Sequence, residues 1–210
     1  MLEMYLFINP IGSDCYHSEQ NILRLVDQLD VEVRFSFIPF LNLQTVSSVM
    51  QTKNIPLNDL QARNQIFNNI YQASLDYKAA SFQGKRCGRN YLLNLQEQIV
   101  DFGTEYNEEV AQKTAQASNL DCDMFNDDRH SSFTINSFKQ DQQMAAEMNV
   151  HEHPTVVIYN LDGMDCGVSF TGCSSYKLLE QLCTGQLNEE IILKHKASSK
   201  KGPHTSLHIL

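Results

Sequence analysis

The sequence predicts an α/β fold in which a long helical segment interrupts a small sheet-containing core. An apolar run at Met4–Ile8, an amphipathic stretch at His17–Leu29 and an alternating stretch at Val31–Phe37 predict strand, helix and strand. Strand character returns only at Thr155–Tyr159, a short β-branched run. A strand–helix–strand unit usually makes its strands parallel through a right-handed crossover, so we expect the opening elements to form one parallel pair.

Length and composition limit the class of protein. A chain of 210 residues with 42% hydrophobic residues fits one domain, or one domain with a sizeable insertion. The net charge of −9, from 25 acidic and 16 basic residues, disfavours nucleic acid and anionic membranes as partners. The chain opens without a basic, signal-like segment and contains no apolar run of transmembrane length, which favours a cytoplasmic location.

The middle of the chain is rich in Gln, Asn, Ala and Leu with helical spacing. Gly84 and Gly88 bracket a break between the first two helices, and Asn107 is expected to cap the third. The predicted division is core residues 1–56, a helical insertion 57–148, core residues 149–187 and a C-terminal tail 188–210. The four predicted helices are Leu60–Phe82, Asn90–Phe102, Asn107–Ala117 and Ser131–Met148.

The last part of the core is expected to hold two strands and a helix. Thr155–Tyr159 is followed by a turn at Leu161–Gly163 and a paired strand at Cys166–Phe170. A helix at Ser174–Leu182 is predicted to begin at Ser174 as its cap. The tail is basic, and we expect most of it to be mobile, with its final Leu-His-Ile-Leu as an alternative docking segment.

This order of elements resembles a thioredoxin fold interrupted by helices, as in the DsbA-like superfamily. Within that superfamily the chain is similar to the YjbH (SpxH) adaptor family, through Phe7–Pro10, Gly12–Cys15 and His153–Thr155. The resemblance covers the chain to about residue 185. It implies a stress-response adaptor that hands the regulator Spx to the protease ClpXP for proteolysis.

The resemblance also assigns roles to these positions. In a related oxidoreductase, the first cysteine of a CxxC motif is activated at a helix N-terminus and the second resolves the mixed disulfide. Gly12 stands at the first position and Cys15 at the second, so a dithiol cycle has no nucleophile. Pro154 matches the proline that is typically cis in this fold. The expected binding site comprises Gly12, Ser13, Asp14, Cys15, His153, Pro154 and Thr155.

A non-catalytic adaptor is therefore the first hypothesis. The alternative is a thiol–disulfide oxidoreductase or a single-thiol redox sensor that uses Cys15, because a helix N-terminus favours a thiolate there. We expect no metal and no cofactor, since the His151 and His153 pair lacks ligand partners at suitable spacing. The segment Asn126–His130 is predicted to be an acid-rich turn, a solvated loop and helix entry rather than a calcium site. The oligomeric state stays open.

The other cysteines carry no motif. The six cysteines include no CxxC pair, and most are expected to be thiols that pack as small hydrophobic groups. Cys166 and Cys173 are separated by seven positions across a predicted strand-to-helix turn. A structural disulfide between them would be unusual in a reducing cytosol.

Overall fold

A five-stranded mixed sheet forms the centre of the protein. The computed structural model describes residues 1–161, 166–172 and 175–186, and the backbone of residues 206–209. The strands stand in the order β2-β1-β3-β4-β5. They are β1 (Leu2–Ile8), β2 (Val33–Pro39), β3 (Thr155–Tyr159), β4 (Val168–Thr171) and β5 (Ser206–Ile209).

The strand directions confirm the predicted thioredoxin fold. Strands β1 and β2 are parallel, whereas β3 runs antiparallel to β1 and β4 antiparallel to β3. Phe7 on β1 stands opposite Thr155 on β3, so the end of the first strand lies beside the start of the third. Strand β5 pairs with β4 and extends the sheet beyond the four strands that the sequence predicts.

The described part of the chain contains eight α-helices. A π-helical turn at Glu97–Asp101 directly follows α4. The helices are α1 (Ser13–Gln28), α2 (Leu43–Thr52), α3 (Leu60–Phe82), α4 (Lys85–Gln96), α5 (Glu108–Ala117), α6 (Cys122–Arg129), α7 (Ser132–Glu147) and α8 (Tyr176–Cys183).

Helices with clear caps follow the prediction closely. Helix α3 has the predicted bounds, and the Asp59 side chain accepts a hydrogen bond from the Ala62 N–H at its start. Asn107 and Ser131 cap α5 and α7 in the same way. For α8 the cap is Ser175, while Ser174, the predicted cap, lies outside the described residues.

The prediction was wrong in several places within the insertion. Residues 126–129 belong to helix α6 rather than to a solvated loop, and the Arg129 side chain is completely buried. Helix α4 begins at Lys85, so Gly88 lies inside it. A Cβ at Gly88 would stand 2.7 Å from the Ser81 Cα, which explains why the close approach of α3 and α4 needs glycine. Outside the insertion, helix α2 in the first part of the core was also not predicted.

The apolar side chains form three clusters. One lies between the sheet and helices α1 and α8, and includes Ile22, Val156 and Leu179. The second covers the opposite sheet face and includes Phe7 and Ala145. The third lies within the inserted helices, so the insertion has an apolar core of its own: Ala73, Ala79, Ala80, Tyr91, Leu95, Tyr106, Ala111, Ala115, Leu120 and Phe125.

Some predicted features fall where the structure is not described. Cys173 and the turn residues 162–165 are outside the described ranges, and so is most of the tail. None of the helices in the described ranges combines the length and apolarity that a membrane span requires.

Candidate functional site

The candidate site begins with a tight turn between β1 and α1. The buried Asn9 side chain accepts a hydrogen bond from the Ile11 N–H at 3.1 Å, and the Asn9 backbone carbonyl accepts one from the Gly12 N–H at 3.0 Å. These bonds are typical of an Asx turn. Gly12 then occupies the N-cap position of α1 with extended backbone angles. The turn therefore fixes where the helix begins.

Cys15 lies in the first turn of α1 and points inward. Its exposed fraction is 1%. The Sγ atom accepts a hydrogen bond from the Asn9 N–H at 3.1 Å and lies 3.4 Å from Nδ1 of His153. The predicted neighbours Cys15 and His153 are thus in direct contact. A thiol covered in this way cannot reach a disulfide on another protein unless the turn moves.

His153 packs over this thiol as a neutral ring. Burial lowers the pKa of His153 to about 4, because the charged imidazolium loses its hydration there. The ring is therefore uncharged at neutral pH. It supplies no positive charge that would stabilise a thiolate at Cys15.

The expected cis bond before Pro154 is confirmed. The Pro154 carbonyl accepts a hydrogen bond from the Gly172 N–H at 2.8 Å. The Thr155 hydroxyl is buried and bonds to the Glu152 carbonyl and to the Thr171 hydroxyl, so Thr155 supports the loop from inside. Within the described part of the chain, no hydrogen bond uses the backbone N–H or C=O of His153.

The exposed face of the site joins α1 to the π-helical turn. Ser13 and Asp14 are exposed at the start of α1. One turn later, the Tyr16 hydroxyl donates to Asp101 Oδ2 at 3.3 Å. Burial, Asp101 and Glu97 all raise the pKa of Tyr16, so the field around its hydroxyl is negative. This face is acidic and partly aromatic.

Residues that the sequence analysis did not select complete this face. Phe102 follows Asp101 and is 67% exposed, unusually open for a large apolar side chain. Asp101 and Phe102 end a segment whose sequence pattern is that of an ordinary amphipathic helix, so the contact of Asp101 with Tyr16 leaves no local signal. Asn9, which contacts the thiol, was part of the quoted Phe7–Pro10 motif but was not assigned to the site.

Little room surrounds Gly12. A Cβ added there would stand 3.2 Å from the Asn9 Cβ, closer than is usual for such contacts. Its backbone angle φ of −99° is open to any residue. A side chain at position 12 therefore requires only a small displacement of Asn9.

The parallel β1–β2 pair, the cysteine in the first turn of α1 and the cis proline before β3 define a thioredoxin-fold protein with the helical insertion of DsbA-like proteins. The family model described as Thioredoxin matches residues 5–181, and the chain belongs to that family. In structure it is similar to a probable DsbA oxidoreductase of Streptomyces coelicolor, with a TM-score of 0.64 and 11% identity. That similarity covers 97% of this chain and 92% of the other.

In sequence the chain is similar to proteins named ClpXP adapter protein SpxH. The relative from Bacillus subtilis strain 168 is 26% identical over 213 residues, which cover 90% of this chain and 69% of that protein. The relative from Staphylococcus aureus is 26% identical over 179 residues, covering 84% of this chain and 63% of that protein. The chain thus spans about two thirds of the length of these relatives.

Proposed function

We propose that this protein is a non-catalytic adaptor that binds Spx and promotes its degradation by ClpXP in the cytoplasm. The similarity to SpxH proteins along 90% of the chain carries the proposal. The site geometry supports it, because Cys15 is buried against His153 and Gly12 supplies no nucleophile three residues earlier. Without that nucleophile, the thioredoxin surface would still bind a protein partner but would not catalyse thiol–disulfide exchange.

The proposed docking surface is the exposed part of the candidate site. It comprises the exposed Ser13 and Asp14 and the half-buried Gly12 and Tyr16 on α1, together with Phe102, which directly follows the Tyr16 partner Asp101. The exposed aromatic ring offers apolar contact, and the acidic rim favours a basic partner face. Cys15 and Thr155, both buried, would act by holding the turn and the proline loop in place.

The proline loop offers a second kind of contact. The backbone N–H and C=O of His153, which no hydrogen bond among the described residues uses, would pair with an extended segment of the partner, as an added strand does at a sheet edge. Pro154 would hold this backbone beside the turn at Gly12. We therefore expect the partner to present an extended segment together with a basic face.

The test uses two phenylalanines of equal exposure. Phe102 is 67% exposed at the site, and Phe133 is 66% exposed at the start of α7, where its ring contacts Phe82. We expect Phe102→Ala to weaken Spx binding by about tenfold, which corresponds to ~1.4 kcal/mol, in a titration with purified Spx. Phe133→Ala should bind as the wild type does. Equal binding by both variants would exclude this surface.

A single-thiol redox sensor is the second candidate. The observation in its favour is that Cys15 lies in the first turn of α1 and accepts the Asn9 N–H, as a thiolate would. Its test is alkylation of the native protein, with the urea-unfolded protein as reference. Rapid native labelling at Cys15 would favour the sensor, and protection of Cys15 would exclude it.

A further inference from the structure

A buried carboxyl group joins the core helix α1 to the inserted helices. Glu19 lies one turn after Cys15, and Gln96 is the last residue of α4; neither side chain reaches solvent. Gln96 Nε2 donates a hydrogen bond to Glu19 Oε1 at 2.7 Å. The partners are separated by 77 positions in sequence, so this contact holds the insertion against α1.

This pair lacks one hydrogen. Glu19 Oε2 and Gln96 Oε1 are both buried acceptors, and neither receives a hydrogen bond from the described residues. No described cation pairs with Glu19. A bare carboxylate in such a place is strongly disfavoured because it loses its hydration, and two buried acceptors without a donor add to that cost.

The groups around Glu19 do not supply the positive charge that would stabilise a carboxylate there. On α1 its titratable neighbours are Cys15 and Tyr16. On α3 the neighbouring group is the phenol of Tyr77, and a negative charge on Glu19 would raise the pKa of both phenols. Both phenols are raised in pKa and therefore neutral. On α4 the Arg89 guanidinium stacks over a phenylalanine ring, and Glu97, which follows Gln96, is exposed and acidic.

We infer that Glu19 is a protonated carboxylic acid whose Oε2–H donates to Gln96 Oε1. One proton then satisfies both open acceptors, and the two side chains share a reciprocal pair of hydrogen bonds. Burial also raises the pKa of Glu19 well above its usual value. We call this pair the Glu19–Gln96 clasp. It holds in place the start of the π-helical turn, which ends at Asp101 and is followed by Phe102.

The clasp makes the junction sensitive to pH. Loss of the proton would turn a carboxylate oxygen toward the Gln96 carbonyl oxygen, and the two would repel. Because the folded protein holds this proton more tightly than the unfolded chain, the clasp loses stability as pH rises above the unfolded pKa of ~4.3. The loss continues until pH passes the folded pKa.

Glu19→Gln mimics the protonated form, because an amide N–H replaces the acid O–H. We expect the variant to keep both hydrogen bonds at every pH. The unfolding constant of the wild type, relative to that of Glu19→Gln, should rise by up to ~tenfold per pH unit between the two pKa values. Urea unfolding from pH 5 to 8 measures it, with Glu97→Gln as the exposed control that leaves the slope unchanged.

Infrared spectroscopy gives a readout that does not depend on unfolding. The wild type at neutral pH should show the carbonyl band of a protonated carboxylic acid. Gln96→Leu should shift that band, because it removes the oxygen that accepts the Glu19 O–H. A pH-independent destabilisation by Glu19→Gln would overturn the inference. Absence of the acid band from the wild type at pH 6 would overturn it even if Glu19→Gln failed to fold.

Discussion

Arg129→Met removes the cation from a completely buried ion pair in the insertion. Arg129 Nε and Nη2 donate to the two carboxylate oxygens of Asp76 at 2.7 and 2.9 Å, and neither side chain is exposed. Nη1 reaches Glu108 at the edge of the cluster. Methionine fills a similar volume but leaves the Asp76 carboxylate without a cation.

The expected loss is large compared with the stability of a small protein. Breaking a buried pair by removing one partner costs ~3–5 kcal/mol. The phenols of Tyr91 and Tyr106 still donate to Asp76, so we expect the lower half of that range, ~3–4 kcal/mol. A chain of this size loses roughly 2–4 °C of melting temperature per kcal/mol, so Tm should fall by about 6–16 °C.

Urea unfolding measures this loss against a surface control. Arg34→Met also removes one positive charge, but Arg34 is 63% exposed and lies 3.6 Å from Glu3. An exposed pair of this kind contributes ~0–1 kcal/mol. If Arg129→Met unfolded at the same urea concentration as Arg34→Met, the buried pair would not stabilise the insertion as argued.

Two further predictions concern the site. Gly12→Cys, treated with oxidised glutathione, should form a disulfide with Cys15 after a small shift of Asn9. With dithiothreitol present to restore the dithiol, the variant should catalyse insulin reduction, unlike the wild type; two thiols that remain unpaired after the oxidation would contradict this. Because burial lowers the pKa of His153 to about 4, the unfolded chain, whose imidazole titrates near ~6.5, binds the extra proton first. The stability tied to His153 is therefore complete above that pH and declines as pH falls toward 4. We expect His153→Gln to lose less stability than the wild type between pH 7 and 5 in urea unfolding, and identical losses would refute it.

Local signals account for the parts of the fold that the sequence predicts well. Asp59 caps a regular apolar pattern, and helix α3 has the predicted bounds as a result. The strand Thr155–Tyr159 and the proline before it are marked by β-branched residues and by Pro154. Capping and periodicity act over a few residues, so a single sequence shows them.

Contacts between residues far apart in sequence explain where the sequence-based prediction was wrong. Residues 126–129 look like a solvated loop because they are polar, but Arg129 is buried by its pairing with Asp76, which lies 53 positions earlier. The partner of Glu19 is equally remote. At the site, the motif placed Cys15 beside His153 correctly, whereas the approach of Asp101 to Tyr16 depends on how the insertion packs.

The most direct test of the adaptor proposal is the rate of Spx degradation by purified ClpXP, measured with no addition, with the wild type and with Cys15→Ser. The serine hydroxyl can still accept the Asn9 N–H, and a thermal melt checks that the variant is folded. The proposal predicts that both proteins accelerate degradation to the same extent. Failure of the wild type to accelerate it, or loss of acceleration in folded Cys15→Ser, would contradict a thiol-independent adaptor.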